Sequence, residues 1–387
     1  MLPLEGTIVF EMAGLAPAPY AGVILADFGA TVIRVDRPNA GSADLLTRHK
    51  KSIALDMKNP TSIELFKKLL TKADVILDPF RPGVMEKLGL GPNVLHEINP
   101  KLIFARLSGF GQSGTNSMAA GHDINYLAIS GVLEMLGRQG EAPAFPMNLL
   151  ADFAGGGLMC VMGILMALVE RSKSGKGQVV DANLTSGTAY LATFPYLMRQ
   201  KGLIWSGERG TNMLDGGAHF YEVYKTKDGK YMSVGAIEPQ FYAALLKGLE
   251  LENEHDLPQQ LDSEQWPSLK KRFSDIFASK TQLEWTQIFD GTDACVAPIL
   301  STEESIPGSS TESLQNKKHY WPRKASPPQP APLLSRTPAK SSITESADLL
   351  SSGAHTIEVL SDFGISGKEI ESLLKSGAIY DDTKSSL

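Results

Sequence analysis

The 387-residue chain lacks several features that mark common protein classes. Its two cysteines, Cys160 and Cys295, are too few for a disulfide framework, so a reduced compartment is expected. A net charge of -6 gives no sign of a general nucleic-acid binder. No stretch reaches the roughly 20 apolar residues that span a bilayer, and no basic region precedes an apolar stretch at the N-terminus. We therefore expect neither membrane insertion nor a secretory signal.

A dinucleotide-binding turn is also missing. The first predicted strand is followed by Gly14-Leu15-Ala16-Pro17-Ala18-Pro19, which lacks the pattern G-x-G-x-x-G. In that pattern, glycines allow the backbone to approach a pyrophosphate closely. A nicotinamide or flavin dinucleotide is therefore not expected on this turn.

Strands and helices alternate in the first part of the chain. Segments 18–28, 61–73 and 84–98 have helical spacing, and each is flanked by β-favouring runs. This alternation predicts an α/β fold, a Rossmann-like parallel sheet covered by helices on both faces. The predicted strands are Thr7–Met12, Thr31–Asp36, Ile53–Asp56, Val75–Leu77, Leu102–Leu107 and Gln178–Asn183.

The pattern of predicted elements changes after residue 205. Two β runs, Phe220–Tyr224 and Tyr231–Val234, flank Asp228-Gly229 and predict a hairpin. Residues 301–345 are rich in Ser, Pro and Thr, which favours an extended connector that could also wrap a partner subunit. The predicted organisation is a large domain over 1–185 completed by 330–387, a linker helix over 186–204, a small α+β domain over 205–300 and a return linker over 301–329.

Two motifs offer chemistry. His122 lies in Gly121-His122-Asp123-Ile124-Asn125-Tyr126, and Asp152 lies between Asn148 and three glycines, Gly155-Gly156-Gly157. An imidazole titrates near neutrality and suits general-base work, while a carboxylate is favoured at the start of a helix. We expect Asn148 to orient Asp152 and the glycines to let a ligand approach the backbone. The plainer interpretations are a structural histidine and a helix N-cap before a buried core helix, Leu158–Val169.

Glu238 is a third candidate proton carrier. It lies in Gly235-Ala236-Ile237-Glu238-Pro239, where an acidic side chain is not needed for solubility. A carboxylate that holds the proton of His122 raises its basicity. The alternative is a helix N-cap or first-turn acid beside Pro239.

Basic residues follow the first strands. Because the carboxyl ends of parallel strands bind ligands, arginine and lysine there suit a phosphorylated ligand. A solvated charged rim is the alternative, but Arg37 directly follows a strand and precedes Pro38, which favours a binding role. The set comprises Arg34, Arg37, Arg48, His49, Lys50, Lys51 and Lys58, with Arg81, Lys87 and Arg106 later.

These motifs resemble the class III CoA-transferase-like family, and within it the racemases of 2-methylacyl-CoA. The resemblance runs from about residue 5 to about residue 300 and returns at Pro330-Ala331-Pro332-Leu333-Leu334. The matching stretches include Leu15-Ala16-Pro17, Ala26-Asp27-Phe28-Gly29-Ala30, Val35-Asp36-Arg37-Pro38, Gly121–Tyr126, Asn148–Gly157, Gly175-Lys176-Gly177-Gln178, Asn212–Gly217 and Val234–Phe241.

The resemblance implies specific roles. It implies that His122 and Asp152 are the two bases that remove and return the α-proton of the thioester through an enolate, and that Glu238 pairs with His122. It implies CoA binding by Arg37, Leu55, Asp56, Met57 and Lys58, and a thioester facing Gly121, Asp123, Ile124, Asn125 and Tyr126. It further implies an interlocked homodimer whose site lies between one subunit's large domain and the other's small domain. CoA is then part of the substrate, and no metal or redox cofactor is implied.

Two other functions are compatible with the family. A CoA-transferase of the same fold uses the matching aspartate as a nucleophile that forms an acyl anhydride, which would be Asp152. A non-catalytic acyl-CoA-binding protein has no need of two bases. The presence of His122 together with Glu238 favours the racemase. Branched fatty acyl, sterol side-chain and arylpropionyl groups all fit a Met-lined surface, so the acyl group is left open.

The final residues, Lys384-Ser385-Ser386-Leu387, are a degenerate form of the Ser-Lys-Leu peroxisomal address. They predict a peroxisomal location, with the mitochondrion as a second location. The plainer interpretation is an ordinary frayed terminus.

Overall fold

The structure, a computed structural model, describes residues 1–41, 44–302, 328–340 and 349–382. These form two units. The first comprises Met1–Ser130, Pro146–Leu191 and the described residues from Pro328 onward. The second comprises Gly131–Phe145 and the described residues from Ala192 to Thr302. Residues 131–145 thus belong with the second unit, although they precede the predicted boundary at residue 185.

The strands are β1 (Ile8–Met12), β2 (Thr31–Asp36), β3 (Lys50–Leu55), β4 (Val75–Asp78), β5 (Ile103–Ser108), β6 (Val179–Asn183), β7 (Tyr221–Lys225), β8 (Tyr231–Gly235), β9 (Val296–Pro298) and β10 (Ile379–Tyr380). The α-helices are α1 (Pro17–Asp27), α2 (Pro60–Leu70), α3 (Val84–Lys87), α4 (Pro92–Ile98), α5 (Asp123–Ile129), α6 (Met159–Ser174), α7 (Leu184–Leu191), α8 (Thr193–Gln200), α9 (Pro239–Gly248), α10 (Trp266–Phe277), α11 (Gln282–Phe289), α12 (Thr356–Asp362) and α13 (Gly367–Lys375). A short 3₁₀-helix covers Leu133–Met135, and a π-helix covers Leu149–Leu158.

The first unit is built on a seven-stranded sheet of order β10-β3-β2-β1-β4-β5-β6. Strands β1 to β6 pair in parallel, and only the short β10 runs antiparallel to β3. This confirms the predicted α/β fold with a large parallel sheet. The strand order reverses between β1 and β4, and ligands of open α/β sheets bind beyond the strand ends at such a point.

Side chains alternate across this sheet, as the pleat of a β-strand requires. Phe10 and Ile33 pack on one face with helices α2, α4, α12 and α13. Val9 and Val32 pack on the other face with helices α1 and α6. Both faces are therefore covered along strands β1 to β5, which are largely buried as expected of a parallel sheet, while the last strand, β6, is more exposed. Cys160 is buried on the second face, as predicted, and burial raises the pKa of its thiol to about 12.

The π-helix continues directly into α6, so one helix runs from Leu149 to Ser174. It has 26 residues and is long and apolar enough to cross a membrane by length and composition, with 39% of its most apolar window buried. The prediction that no apolar stretch reaches this length was wrong, because three glycines expected to precede the helix lie inside it. The expectation of a fully buried helix was also wrong: Met162, Leu165, Met166 and Val169 are exposed.

The second unit contains the predicted hairpin. Strands β7 and β8 pair antiparallel around Asp228-Gly229, and β9 adds to β8. Helices α9, α10 and α11 pack on this sheet through a core rich in aromatic residues, including Phe220, Phe273 and Trp285. The linker helix predicted over 186–204 is instead two helices, α7 and α8, in different units. Of the predicted return linker, residues 303–327 lie outside the described residues.

Candidate active site

A cavity of about 580 Å³ lies at the point where the strand order reverses. Its walls come from the segments that follow β1, β4 and β5, together with the first turns of helices α5 and α7. The loops after β1 and β4 lie in close contact here, since a Cβ on Gly14 would lie 2.8 Å from the ring of Pro79. The lining residues include Leu15, Pro17, Arg81, Phe110, Gly121, His122, Tyr126, Asp152 and Leu184.

His122 is presented to this cavity by the start of helix α5. It is the N-cap residue, in an extended conformation, and its backbone N–H donates to the side-chain oxygen of Asn125 at 3.0 Å. The ring of Tyr126 fills the space left by two glycines, since a Cβ on Gly109 or Gly121 would lie 2.1 or 2.7 Å from it. The Tyr126 hydroxyl donates to the carbonyl of Gly121. His122 is therefore exposed on a backbone that its neighbours hold in place.

The Asp123 carboxylate joins the two motifs. Its Oδ2 atom accepts the backbone N–H of Ala151 at 2.8 Å and that of Asp152 at 2.7 Å. These N–H groups belong to the first turn of the π-helix, where a helix has no acceptors of its own. The bond fixes the start of one helix against the start of the other. Consequently His122 and Asp152, which adjoin the bonded residues, line the same cavity.

Asp152 lies inside the first turn of the π-helix, whose N-cap is Asn148. The N-cap interpretation for Asp152 was therefore wrong. Asn148 does orient it as predicted, because its Nδ2 donates to Asp152 Oδ2 at 3.2 Å. Burial of the half-buried carboxyl raises the pKa of Asp152, and the nearby Asp123 acts in the same direction. Asn148 and His122 oppose that rise by favouring the charged form.

The three glycines do not serve a ligand. Gly155, Gly156 and Gly157 are buried, and each lies against protein atoms. A Cβ on Gly155 would lie 2.5 Å from the hydroxyl of Thr188, and one on Gly157 would lie 2.7 Å from the carbonyl of Pro17. The expectation that a ligand approaches this backbone was wrong, because helices α1 and α7 occupy the space.

The residues implied in CoA binding lie at the ends of β2 and β3. Asp36 pairs with Ala54 across these strands, so Arg37 and the loop after Leu55 lie at adjacent strand ends. The side chains of Arg37 and Lys58 are exposed, and those of Asp56 and Met57 are partly exposed. Leu55 is fully buried in the core, so only its backbone is placed to meet a ligand.

Several of the other basic residues are occupied by internal ion pairs. Lys50 is fully buried, and its Nζ lies 2.7 Å from Glu11. Arg34 pairs with Asp36 at 2.8 Å, and Arg48 pairs with Asp27 at 2.5 Å. For Lys50 and Arg34 the phosphate-binding interpretation and the solvated-rim interpretation were both wrong, since a buried cation is paired within the protein. Arg48 is partly exposed, and its ion pair with Asp27 shows that it is not simply a solvated rim residue.

Glu238 lies in the second unit as the N-cap of helix α9, with Pro239 at the first helical position. Glu238 therefore occupies the N-cap position that the alternative interpretation assigned to it. Its side chain nevertheless makes no capping hydrogen bond and is exposed. Glu238 is also close to Cys295. The pKa of the Cys295 thiol is raised mainly by burial, and the negative charge of Glu238 raises it further. Its predicted pairing with His122 stays a prediction.

Sequence reasoning missed some of the cavity walls and the bridging role of the Asp123 side chain. Phe110, which follows β5, was not singled out, and Arg81, which follows β4, was named only as a basic residue for a phosphorylated ligand. Strand order would have identified them, but spacing along the chain does not reveal strand order. Among the described residues, no group of three or more His, Cys, Asp or Glu side chains is arranged to hold a metal ion.

Comparison with known proteins shows which family the chain matches. Residues 4–339 match the model of CoA-transferase family III. The chain is 54% identical over 380 residues to alpha-methylacyl-CoA racemase of Mus musculus, covering 98% of each chain. It is 52% identical over 373 residues to the Homo sapiens protein of that name, covering 96% of each. A crystal structure of a CAIB/BAIF family protein from Brucella suis superposes with a TM-score of 0.71 at 21% identity, covering 94% of this chain and 99% of that one.

We predict that Asp123→Ala lowers the free energy of unfolding by about 2 kcal/mol, because two backbone N–H groups lose their acceptor in a buried setting. Urea denaturation monitored by circular dichroism measures the change. Asp123→Asn keeps one carbonyl oxygen at this position and should lose less than half as much. Equal losses in the two variants would contradict the bridging role of the carboxylate.

Proposed function

The chain belongs to CoA-transferase family III, and from that premise we propose that it is a racemase of 2-methylacyl-CoA thioesters. It would interconvert the (R) and (S) forms, an isomerase activity. The main structural support is that His122 and Asp152 line one cavity, held there by Asp123. The identity of more than half of the residues to two alpha-methylacyl-CoA racemases supports the substrate class.

The proposed reaction moves one proton. Either His122 or Asp152 takes the α-proton, and the electrons of the broken C–H bond delocalise onto the thioester oxygen as an enolate. The other residue then donates a proton to the opposite face of the same carbon, which inverts its configuration. The N–H of Asp123, in the first turn of helix α5 and without an intrahelical acceptor, is proposed to stabilise the oxyanion. Glu238 is proposed to hold the proton of His122 in place.

The raised pKa of Asp152 suits this role. A proton carrier must donate in one direction and accept in the other, so a pKa closer to the working pH improves both. An ordinary exposed aspartate is almost entirely ionised near neutrality. Burial of Asp152 raises its pKa and so increases the protonated fraction available for donation.

We propose that the CoA tail lies along the ends of β2 and β3. Arg37 and Lys58 are exposed cations on that edge, and cations there suit phosphate groups. The cavity opens at the ends of β1, β4 and β5, on the same edge of the same sheet. A thioester in the cavity can therefore extend its nucleotide toward Arg37. The reaction as proposed needs no metal or redox cofactor.

A homodimer is also proposed. Helix residues Met162, Leu165, Met166 and Val169 form an exposed apolar row at helical spacing. A continuous row of this kind marks an interaction surface on a protein, and a second copy of the chain is the partner proposed. For location we propose the peroxisome or the mitochondrion, though the terminal Ser-Ser-Leu lies outside the described residues.

We predict that the α-proton of (R)- and (S)-2-methylacyl-CoA exchanges with solvent deuterium during turnover. Proton NMR in deuterated buffer measures both the loss of the α-proton signal and the inversion. His122→Ala and Asp152→Ala should each reduce inversion by about 10²- to 10⁴-fold, the usual contribution of a general acid or base. Each variant removes one of two bases, so exchange should persist better from one enantiomer than from the other.

The transferase alternative gives a different result in the same samples. A transferase would move CoA between an acyl-CoA and a free acid through an anhydride on Asp152, with no need of His122. Inversion without deuterium uptake would overturn the racemase mechanism. CoA transfer to an added acid, unaffected by His122→Ala, would favour the transferase.

We predict that Asn148→Ala shifts the acidic limb of the pH–rate profile to higher pH. Asn148 donates to the ionised carboxylate and lowers its pKa, so removing the donor raises the pKa of Asp152 further. Asp152 acts as a base only when ionised, and its activity as a base should therefore appear at higher pH. The initial exchange rate for each enantiomer between pH 4 and pH 9 measures this. The exposed Asn93→Ala is the control, and an unmoved limb in Asn148→Ala would contradict the assignment.

We predict that the molecular mass measured by sedimentation is twice the 41.8 kDa mass of one chain. Met166→Lys places a charge in the exposed apolar row, which is costly to bury unpaired, and should increase the monomer fraction. Leu261→Lys makes the same chemical change at an exposed site in the second unit. Analytical ultracentrifugation of the three proteins is the measurement. A monomeric wild-type chain would rule the dimer out.

A further inference from the structure

The C-terminal segment, residues 349–382, adjoins the strand ends that are proposed to bind the nucleotide of CoA. We propose that this segment is a positioning element for the nucleotide end of the substrate and that Ser352 is its principal positioning residue. The inference rests on the proposed function, since it assumes an acyl-CoA whose tail lies against Arg37 and the loop after β3. It assigns a role to residues about 300 positions away in the chain from those that they support.

The segment first attaches to the edge of β3. The backbone N–H of His355 donates to the carbonyl of Ser52 at 2.9 Å, and the N–H of Ser52 donates to His355 Nδ1 at 3.2 Å. The N–H of Ala54 donates to the hydroxyl of Thr356 at 3.1 Å. The segment thus provides hydrogen-bond partners for backbone N–H and C=O groups at the edge of β3, which would otherwise bond to water. Its position relative to β3 is therefore fixed by directional bonds.

The close approach at this edge requires a glycine. Gly353 has a φ of +83°, and a Cβ there would lie 2.9 Å from the carbonyl of Tyr380 and 3.0 Å from the Cβ of Ala54. Its N–H donates to the hydroxyl of Ser52 at 2.8 Å, and that hydroxyl donates to Asp36 at 2.6 Å. Asp36 immediately precedes Arg37. The segment is thereby connected by hydrogen bonds to the end of β2.

Ser352 makes the contact nearest to the ligand residue. Its hydroxyl donates to the backbone carbonyl of Arg37 at 2.7 Å, and its side chain is buried. The Arg37 side chain itself is exposed. Arginine has a long flexible side chain, and the direction in which it leaves the chain depends on its backbone. Fixing the carbonyl of Arg37 therefore limits the conformations of its side chain, so less freedom is lost when that side chain binds a phosphate or adenine.

The far end of the same segment fixes the second binding loop. The carbonyl of Ala378 accepts the N–H of Asp56 at 3.1 Å and the hydroxyl of Ser62 at 2.6 Å. The side-chain amide of Asn59 donates to the carbonyl of Ser376 at 3.3 Å. Both ends of the loop that contains Met57 and Lys58 are thus held by one stretch, 376–378. One segment holds both places where the nucleotide is proposed to bind.

The segment does not reach the thioester cavity, because none of the residues described as lining that cavity belongs to 349–382. Its effect should therefore be confined to the nucleotide end of the substrate. A positioning role and a merely structural role differ here. The first weakens binding only of ligands that have the nucleotide, whereas the second weakens binding and turnover of every ligand.

The test compares Ser352→Ala with wild type on two substrates, a 2-methylacyl-CoA and the pantetheine thioester of the same acid, which lacks the nucleotide. We expect KM for the CoA thioester to rise about three- to tenfold, the effect of losing one hydrogen bond. We expect kcat for both substrates and KM for the pantetheine thioester to stay within twofold of wild type. Ser361→Ala is the matched control, since it removes an exposed hydroxyl that bonds within helix α12. Arg37→Ala is the positive reference.

Calorimetric binding of free CoA gives a second readout that does not depend on turnover. Weaker binding of CoA to Ser352→Ala than to Ser361→Ala supports the proposal even if wild type fails to racemise, in which case the proposed function alone fails. An equal rise in KM for both substrates overturns the proposal and leaves a structural role. No change in KM or in CoA binding, with a clear effect of Arg37→Ala, overturns it as well.

Discussion

The candidate site depends on one buried carboxylate accepting two backbone N–H groups. Asp123 bonds Ala151 and Asp152 through a single oxygen, while its Oδ1 is buried without a hydrogen-bond partner in the described part of the chain. Two helix starts that come from distant parts of the sequence are thereby fixed together. Without that bond, neither the N-cap position of His122 nor the first-turn position of Asp152 would determine the distance between them.

Close backbone contact supports the same arrangement from behind. A Cβ on Gly187 would lie 1.8 Å from the carbonyl of Gly155, so helix α7 and the π-helix touch through their main chains. Main-chain contact of this kind allows little sliding, because no flexible side chain can adjust. Gly155 and Gly187 therefore fix the helix from which Asp152 projects toward the cavity.

Much of this could be predicted from sequence, for identifiable reasons. Alternating apolar strands and helices gave the α/β fold, and the family resemblance implied that His122 and Asp152 share a site. The three glycines were expected to precede the helix, yet the helix runs through Gly156 because packing on Leu184 outweighs glycine's low helix propensity. Likewise nothing in the local sequence shows that the Asp123 side chain turns inward. Such features depend on contacts between residues far apart in the chain.

The proposed separation of the nucleotide end and the thioester end of the substrate has a physical consequence. Exposed cations at the ends of β2 and β3 suit a highly charged nucleotide, whereas Asp152 needs partial burial to keep its pKa raised. Phosphates next to Asp152 would bring water and counter-ions to its carboxyl group and so weaken the burial that raises its pKa. In the proposed function, the phosphates bind at the ends of β2 and β3, beside the cavity and not inside it, which avoids that conflict. In the proposed function, binding energy from the remote nucleotide positions the α-carbon, which offers few contacts of its own.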